Sequence, residues 1–426
     1  MPKLPEVKNY DAIVVGAGPS GCSAAIFLAR AGRKVLLVDK ANFPREKVCG
    51  DAVSGKSVSV IGDIGVLKSV EQQKHGIVRN IKLAAPNGYE VSLPFEPAPG
   101  LDCAGYVYRR KLTDNLLFES AKNEGNVAII ENFTVAKLLK DEGGKVRGIG
   151  GATGHSQIAI ADNKKNKEFF AKVVVGADGA GSVVARQLGL RGIPPNHLYM
   201  GVRGYWRGVK GLKDEIELFF IDEVLPGYLW VFPLGDGTAN VGLGILASDL
   251  KKKKGHLNKI LLNAIENAPT LKARFKEAKL EGRIGAWIIP LGSYKRKNSG
   301  DGWVLAGDAA SLADPFSGEG FGNALSSGKF AAQAIDEALK KYPEANPIPA
   351  MALKPYTDKI ESALYPEMQI TYKMQQAARF KFIFNLFIKK AATKPEFKQM
   401  MADMLSSNEN KKQVSNPLFY LKLLFL

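Results

Sequence analysis

Cysteine is nearly missing from this chain: Cys22, Cys49 and Cys103 are the only three in 426 residues, and they show no paired spacing. That scarcity excludes a disulfide framework, and with it any iron–sulfur or structural zinc site built on about four cysteine ligands. A reducing, cytoplasmic setting without a bound metal is the expectation. No run approaches the roughly eighteen apolar residues of a spanning helix. The segment Met1–Asn9 is short and polar, unlike a signal peptide. Membrane contact is therefore expected to be peripheral. Acids are also under-represented, with 42 Asp and Glu against 59 Lys and Arg, so the net charge is +17. An anionic partner follows, among nucleic acid, a lipid surface and a phosphorylated substrate, unless the excess reflects a lysine-rich proteome. Nucleic acid fits least, because the basic residues are spread out and form no reader motif.

A hydrophobic content of 46% and a charged content of 24% describe an ordered globular protein, and the length calls for two or three domains. The stretch around which the chain is organised runs from Asp11 to Asp39. An apolar strand, Ala12–Val15, enters Gly16-Ala-Gly18-Pro19-Ser20-Gly21, followed by a small-residue helix, Cys22–Ala31, and a second strand, Val35–Val38, ending in Asp39. Gly16 allows the tight turn, Gly18 lets backbone approach a pyrophosphate, and Gly21 lets the helix pack on the strand. Free N–H groups at the helix start face the phosphates, and Asp39 stands where an acid about twenty residues on accepts from a ribose hydroxyl.

Further along, Lys40–Lys56 lacks periodicity and reads as a loop holding Lys47-Val-Cys49-Gly50-Asp51. Cys49 there is either an exposed reactive thiol or a small buried residue. Val78–Pro94 reads as a hairpin around Asn87-Gly88. Arg109 precedes a helix, Lys111–Lys122, with a stripe of Leu112, Leu116 and Ala121, and is placed either for phosphate or for a surface ion pair. Strands are expected at Val127–Ile130, Thr134–Leu139, Lys145–Ile149 and Gln157–Ile160, with Gly148–Gly154 as a turn. A buried strand, Ala171–Val175, enters a second glycine corner, Gly176-Ala177-Asp178-Gly179-Ala-Gly181-Ser182, in which Asp178 serves either a ribose or the turn and Ser182 suits a helix cap. In Tyr228-Leu-Trp230-Val-Phe232-Pro233 the three aromatic rings share one face of a strand, as a sheet core or as the wall of a site for a long apolar ligand. Asp249–Leu280 reads as helix. Gly307-Asp308 ends a third buried strand, and Ser317-Gly318-Glu319-Gly320 opens a long helix, Phe321–Lys340, whose start stabilises negative charge. Arg379–Lys390 carries Phe380, Ile383, Phe384 and Phe387 at helical spacing among cations, to lie on a membrane or to dock on the body. The apolar Leu418–Leu426 poses the same choice.

Three nucleotide-facing corners in this order, spread over Tyr10–Gly328, resemble the flavoprotein superfamily of p-hydroxybenzoate hydroxylase. Within it, the Lys47–Asp51, Tyr228–Pro233 and Asp314–Gly320 motifs are most similar to the geranylgeranyl reductase family, although Leu225 stands where the fuller motif has proline. The resemblance implies an α/β (α+β) fold: a Rossmann-like FAD-binding domain, an antiparallel-sheet substrate domain and a C-terminal helical segment. The expected boundaries are 1–75, 104–195 and 285–342 for the first, 76–103 and 196–284 for the second, and 343–426 for the third. It implies FAD held by Gly16, Gly18, Pro19, Ser20, Gly21, Asp39, Lys40, Cys49, Gly50, Arg109, Ala177, Asp178, Gly179, Gly307, Asp308, Gly318, Gly320 and Phe321. Tyr228, Trp230 and Phe232 would line a prenyl channel, with Cys49, Gly50 and Tyr228 at the chemistry. The implied activity is reduction of carbon–carbon double bonds in an isoprenoid lipid. The electron donor would be transiently docked NAD(P)H or a ferredoxin-like protein, since no second GxGxxG is present. An FAD monooxygenase shares the framework. A halogenase fits less well, because Gly285–Pro290 has one tryptophan and not two, and a lipid-binding module without turnover is the non-enzymatic alternative.

Overall fold

The computed structural model describes residues 9–98, 100–154, 166–190, 192–253 and 255–406. Runs without apolar–polar alternation, such as Ala12–Val15, Val35–Val38 and Val173–Gly176, are buried almost throughout, which is the pattern of strands covered on both faces. Trp303–Leu305, Lys167–Gly176, Asn9–Val15, Val35–Val38 and Val127–Ile130 lie side by side in that order, every pair parallel. The register aligns Val15 with Gly176 and Gly176 with Leu305. Three strands thus end in one row, and the three glycine corners leave the sheet next to one another.

Two helices cover this edge. Pro19–Arg30 and Phe321–Lys341 approach so closely that a Cβ on Gly328 would fall 2.2 Å from the Ser20 carbonyl oxygen. Ser23 Oγ donates to the Leu325 carbonyl at 2.7 Å within that contact. The glycine-rich stretch after Lys145 is not a turn but the strand Val146–Thr153, antiparallel to both Phe133–Lys140 and Lys167–Gly176. Its glycines permit the close pairing, since a Cβ on Gly148 would lie 2.1 Å from the Phe169 oxygen and one on Gly151 2.3 Å from the Thr134 oxygen. The strand expected at Gln157–Ile160 and the tail Leu418–Leu426 lie outside the described residues.

Among the described residues a second, seven-stranded sheet runs Lys279–Pro290, Leu198–Arg207, Thr238–Leu246, Tyr228–Pro233, Glu215–Phe219, Asn80–Ala84, Glu90–Pro94. It is antiparallel except where Glu215–Phe219 meets Asn80–Ala84. Position 285 falls inside its first strand, which stays paired as far as Leu198 with Pro290. A small sheet of Ala52–Ser54, Gly105–Val107 and Gly76–Val78 abuts it. There a Cβ on Gly76 would sit 1.8 Å from the Pro233 oxygen.

The Asp249–Leu280 region is not one helix. Ala247–Lys253, Leu257–Asn267 and Pro269–Phe275 are separate, interrupted around Gly255 and Pro269. Leu112 is 37% exposed, the stripe of its helix passing instead through Leu117, Phe118 and Ala121. Of the C-terminal helices, Lys381–Thr393 docks on the body, burying Ile388 and Ala391 in a cluster with Leu83, Val91 and Leu93.

Gly328→Leu is expected to force the two covering helices apart and to lower stability by roughly 1–3 kcal/mol or more. Gly125→Ala, where a Cβ meets nothing within 4 Å, should be close to neutral. Thermal unfolding of the two variants checks the contrast.

Candidate functional site

The first corner is held by steric necessity. Gly16 has φ +99°, and a Cβ there would lie 2.5 Å from the Ala177 oxygen, while one on Gly21 would lie 1.8 Å from the Gly16 oxygen. Asp39 braces this turn: one carboxylate oxygen accepts from the Ala17 N–H at 2.7 Å and the other from Ala41 N–H at 2.8 Å. In the second corner Asp178 accepts from Ser182 Oγ at 2.6 Å and from the Val183 and Val184 amides at 2.6 and 3.2 Å. That carboxylate therefore serves the turn, and Ser182 caps the helix by accepting from Ala185 N–H at 2.9 Å. In the third, Gly307 has φ +60° and donates its N–H to Ser327 Oγ at 3.0 Å, and a Cβ would meet Ser20 Oγ at 2.8 Å. The third corner is thereby locked onto the first.

Outward, the corners are open. A Cβ on Gly18 would find only Arg45 Nη2, at 3.6 Å, and one on Gly179 or Gly181 nothing within 4 Å. Pro19–Arg30 starts without a side-chain cap, so its first amides are available to an anion. These features fit a dinucleotide pyrophosphate. Pro19 and Ser20 are buried beneath the turn and Lys40 is exposed.

The two neighbouring arginines part company. Arg109 faces the antiparallel sheet, pairing with Glu281 at 3.2 Å and stacking 4.3 Å over Tyr205, so the structure does not bring it to the corners. Arg110 turns inward instead. It is buried, bidentate to Asp114 at 2.7 and 3.0 Å, and lies 4.8 Å over the Phe321 ring at the start of the long helix. Arg45 shares Asp114 at 3.1 Å. Burial pushes the Asp308 carboxyl above its ordinary value against the pull of Lys47 and Arg110. Burial likewise lowers the Lys47 ammonium to about 8, with Asp308 opposing. Lys47 Nζ stands 3.8 Å from the Trp287 ring centroid. Arg110 and Arg45 thus join the site without having been singled out in the sequence, and Lys47, named there only as part of its motif, joins them.

A cavity of about 670 Å³ opens from this edge. Cys49, Gly50 and Gly318–Phe321 line one part, and Tyr228, Trp230 and Phe232 form a wall along it. Successive ring centroids in the wall are 6.2 Å apart. Ile383, Phe384 and Phe387 also line it, so three residues of the expected amphipathic stripe face the cavity while the fourth, Phe380, stays exposed. Burial raises the Tyr228 phenol, whose hydroxyl donates to the Ser317 carbonyl. A Cβ on Gly50 would meet the Phe232 ring at 3.3 Å and Trp230 Nε1 at 3.8 Å. The wall and the Cys49–Gly50 loop are therefore in contact.

Behind that contact lies a polar hub. Trp230 Nε1 donates to Asn240 Oδ1 at 2.9 Å, and Asn240 Nδ2 donates to the Cys49 carbonyl at 2.7 Å and to Asp51 Oδ2 at 2.8 Å. Tyr205 OH donates to the same Asp51 oxygen at 2.8 Å, its ring lying between the Arg109 and Arg203 guanidiniums. Asp51 is fully buried with φ 70°. Burial lifts its carboxyl to about 6 despite Arg203, Asn240 and Tyr205. Gly242 makes room for the indole, since a Cβ there would lie 2.4 Å from Trp230 Cζ2. Asp51 and Trp230 stood in motifs named from the sequence, and the further signal for this hub was Asn240, a buried polar residue within the largely apolar strand Thr238–Leu246.

The FAD binding domain family matches residues 9–341. The chain is 34% identical to the digeranylgeranylglycerophospholipid reductase of Methanocella arvoryzae, over 86% of this chain and 87% of that one. This protein belongs to the geranylgeranyl reductase family of FAD-dependent oxidoreductases. It is also 30% identical to the menaquinone reductase of Mycobacterium tuberculosis over 77% of each chain. A geranylgeranyl bacteriochlorophyll reductase-like protein from Thermoplasma acidophilum shares the fold, with a TM-score of 0.77 over 98% of each chain at 23% identity. Among the described residues no helix is long and apolar enough to cross a membrane.

Asp51 supplies a pH test. Its pKa rises from 3.8 to about 6 on folding, so between those values the unfolded chain has lost a proton that the folded protein keeps. Stability from this group therefore falls as pH rises through the window, by roughly 3 kcal/mol in total. Asp51→Asn, which tolerates the left-handed backbone, should gain on the native protein by up to that amount between about pH 4 and 7. A constant gap in unfolding free energy would contradict the assignment.

Proposed function

We propose that this flavoenzyme saturates carbon–carbon double bonds in the isoprenoid chain of a prenyl lipid. The observation that carries this reading is the cavity itself: an apolar slot with an aromatic wall, running from the Cys49–Gly50 and Gly318–Phe321 edge to Phe384 and Phe387. A relative that acts, by its name, on a digeranylgeranylglycerophospholipid supports it. Gly16, Gly18 and Gly21 with the helix start behind them would hold the pyrophosphate, Asp39 the adenosine ribose, and Gly307–Asp308 the flavin-side ribose. When bound and reduced, FAD supplies the hydride for one alkene carbon.

The protein's share is alignment and dryness. An isolated alkene has no carbonyl to polarise, so catalysis rests on holding the double bond at the reactive edge and excluding water. Tyr228, Trp230 and Phe232 provide contact area with few hydrogen bonds, and Gly50 leaves room for close approach. The start of Phe321–Lys341 stabilises negative charge on the flavin side. Of the two candidate donors for the second alkene carbon, the Tyr228 hydroxyl proton is engaged with Ser317. The proton would come from Cys49 Sγ or from the Tyr228 hydroxyl, both of which line the cavity. The donor of electrons is NAD(P)H or a ferredoxin-like protein, docking transiently, and the enzyme meets its substrate at the membrane periphery.

Trp230→Ala should lower kcat/KM for a geranylgeranyl lipid by at least about tenfold while flavin content is kept, as loss of an aligning ring implies. Product mass, showing added pairs of hydrogens, is the readout. Unchanged reduction would sink the channel assignment, and oxygen uptake with a hydroxylated product would select a monooxygenase instead.

A further inference from the structure

Three segments far apart in sequence meet on the surface beside the cavity. Arg379, in the turn between the helices Tyr365–Ala377 and Lys381–Thr393, pairs with Asp249 at 3.0 Å. Lys381 pairs with Asp222 at 2.5 Å, and Lys253 donates to the carbonyls of Asp222 and Glu223, both at 2.8 Å. These contacts fix the helix Ala247–Lys253 beside the turn and neutralise two of the local acids. Lys251 and Lys252 on that helix are exposed, and neither forms an ion pair among the described residues.

Flanking Arg379 and Lys381 in the same turn, Phe380 is 63% exposed and Phe382 71%. Their neighbours Ala377, Ala378, Ile383 and Phe384 line the cavity. One turn therefore carries the wall of an apolar slot on its inner side and two bare phenylalanines on its outer side. Large rings left in water next to lysines are the composition of an interfacial anchor, and the cationic rim complements acidic headgroups.

We propose that Phe380 and Phe382, rimmed by Lys251, Lys252, Arg379 and Lys381, form a docking surface for an anionic lipid bilayer. The rings enter the headgroup–acyl boundary and the lysines face the headgroups. Docked this way, an acyl-like chain passes from bilayer to slot past the Phe380 turn without crossing bulk water. The inference deepens the prenyl-lipid reading by naming the surface through which that substrate arrives.

The test uses the full flavin-loaded chain and vesicle co-sedimentation, with phosphatidylcholine alone or with phosphatidylglycerol added. Native protein should partition onto the anionic vesicles and only weakly onto the neutral ones. Phe380→Ser with Phe382→Ser, and separately Lys251→Glu with Lys252→Glu, should each weaken partitioning by at least roughly tenfold, with flavin content and turnover of detergent-dispersed lipid unchanged. Equal partitioning by both double variants would overturn the proposal, placing attachment elsewhere, residues 407–426 included. So would native protein that ignores anionic vesicles, or detergent turnover that falls in step with binding. Vesicle binding is read without turnover. Loss of binding in the variants alongside an absence of prenyl reduction in every form would uphold the docking surface and refute the substrate.

Discussion

The structure depends on one piece of close packing: three parallel strands that end in the same row, with glycines where their corners touch. Gly16 faces Ala177 at a separation no Cβ tolerates, Gly307 does the same with Ser20, and Gly328 lets the long helix lie on Pro19–Arg30. Because parallel strands all present their carboxyl ends at one edge, that packing gathers the corners, two helix starts and the Lys47–Asp51 loop into a single place. FAD binding follows from the gathering and not from any one motif.

The second constraint is the hub at Asp51. A buried carboxylate with a left-handed backbone is costly, and here it is repaid by position. Through Asn240 it fixes both the Cys49 carbonyl and the Trp230 indole, so the Cys49–Gly50 loop and the aromatic wall are tied to one another. Tyr205, held between Arg109 and Arg203, ties the same carboxylate to the antiparallel sheet. The Cys49–Gly50 loop follows a strand of the parallel sheet while the wall belongs to the antiparallel one, and this network sets their spacing.

Much of this was legible in the residues. Local chemistry marked the corners, because a glycine in a strand-to-helix turn has a mechanical reason to be there. The wall was legible too, because strand alternation puts Tyr228, Trp230 and Phe232 on one side whatever the fold. What could not be read were the choices between neighbours. Nothing local says that Arg110 turns inward while Arg109 turns out, since a helix start leaves both directions open. Nor does a run of glycines announce a strand: Val146–Thr153 pairs because its partners' carbonyls fill the space that side chains would take. The stripe on Lys381–Thr393 was visible, but only the position of the antiparallel sheet decides that Ile383, Phe384 and Phe387 face a cavity and Phe380 and Phe382 face out.

In the proposed reaction an isoprenoid chain in the aromatic slot is the oxidant of the reduced flavin. Anaerobic mixing of the reduced protein with a geranylgeranyl lipid, followed at the flavin absorbance and by mass spectrometry of the lipid, decides the matter. The flavin should reoxidise without oxygen, with one pair of hydrogens gained by the lipid for each flavin oxidised. A flavin that stays reduced until air is admitted, with the lipid unsaturated as before, would contradict it.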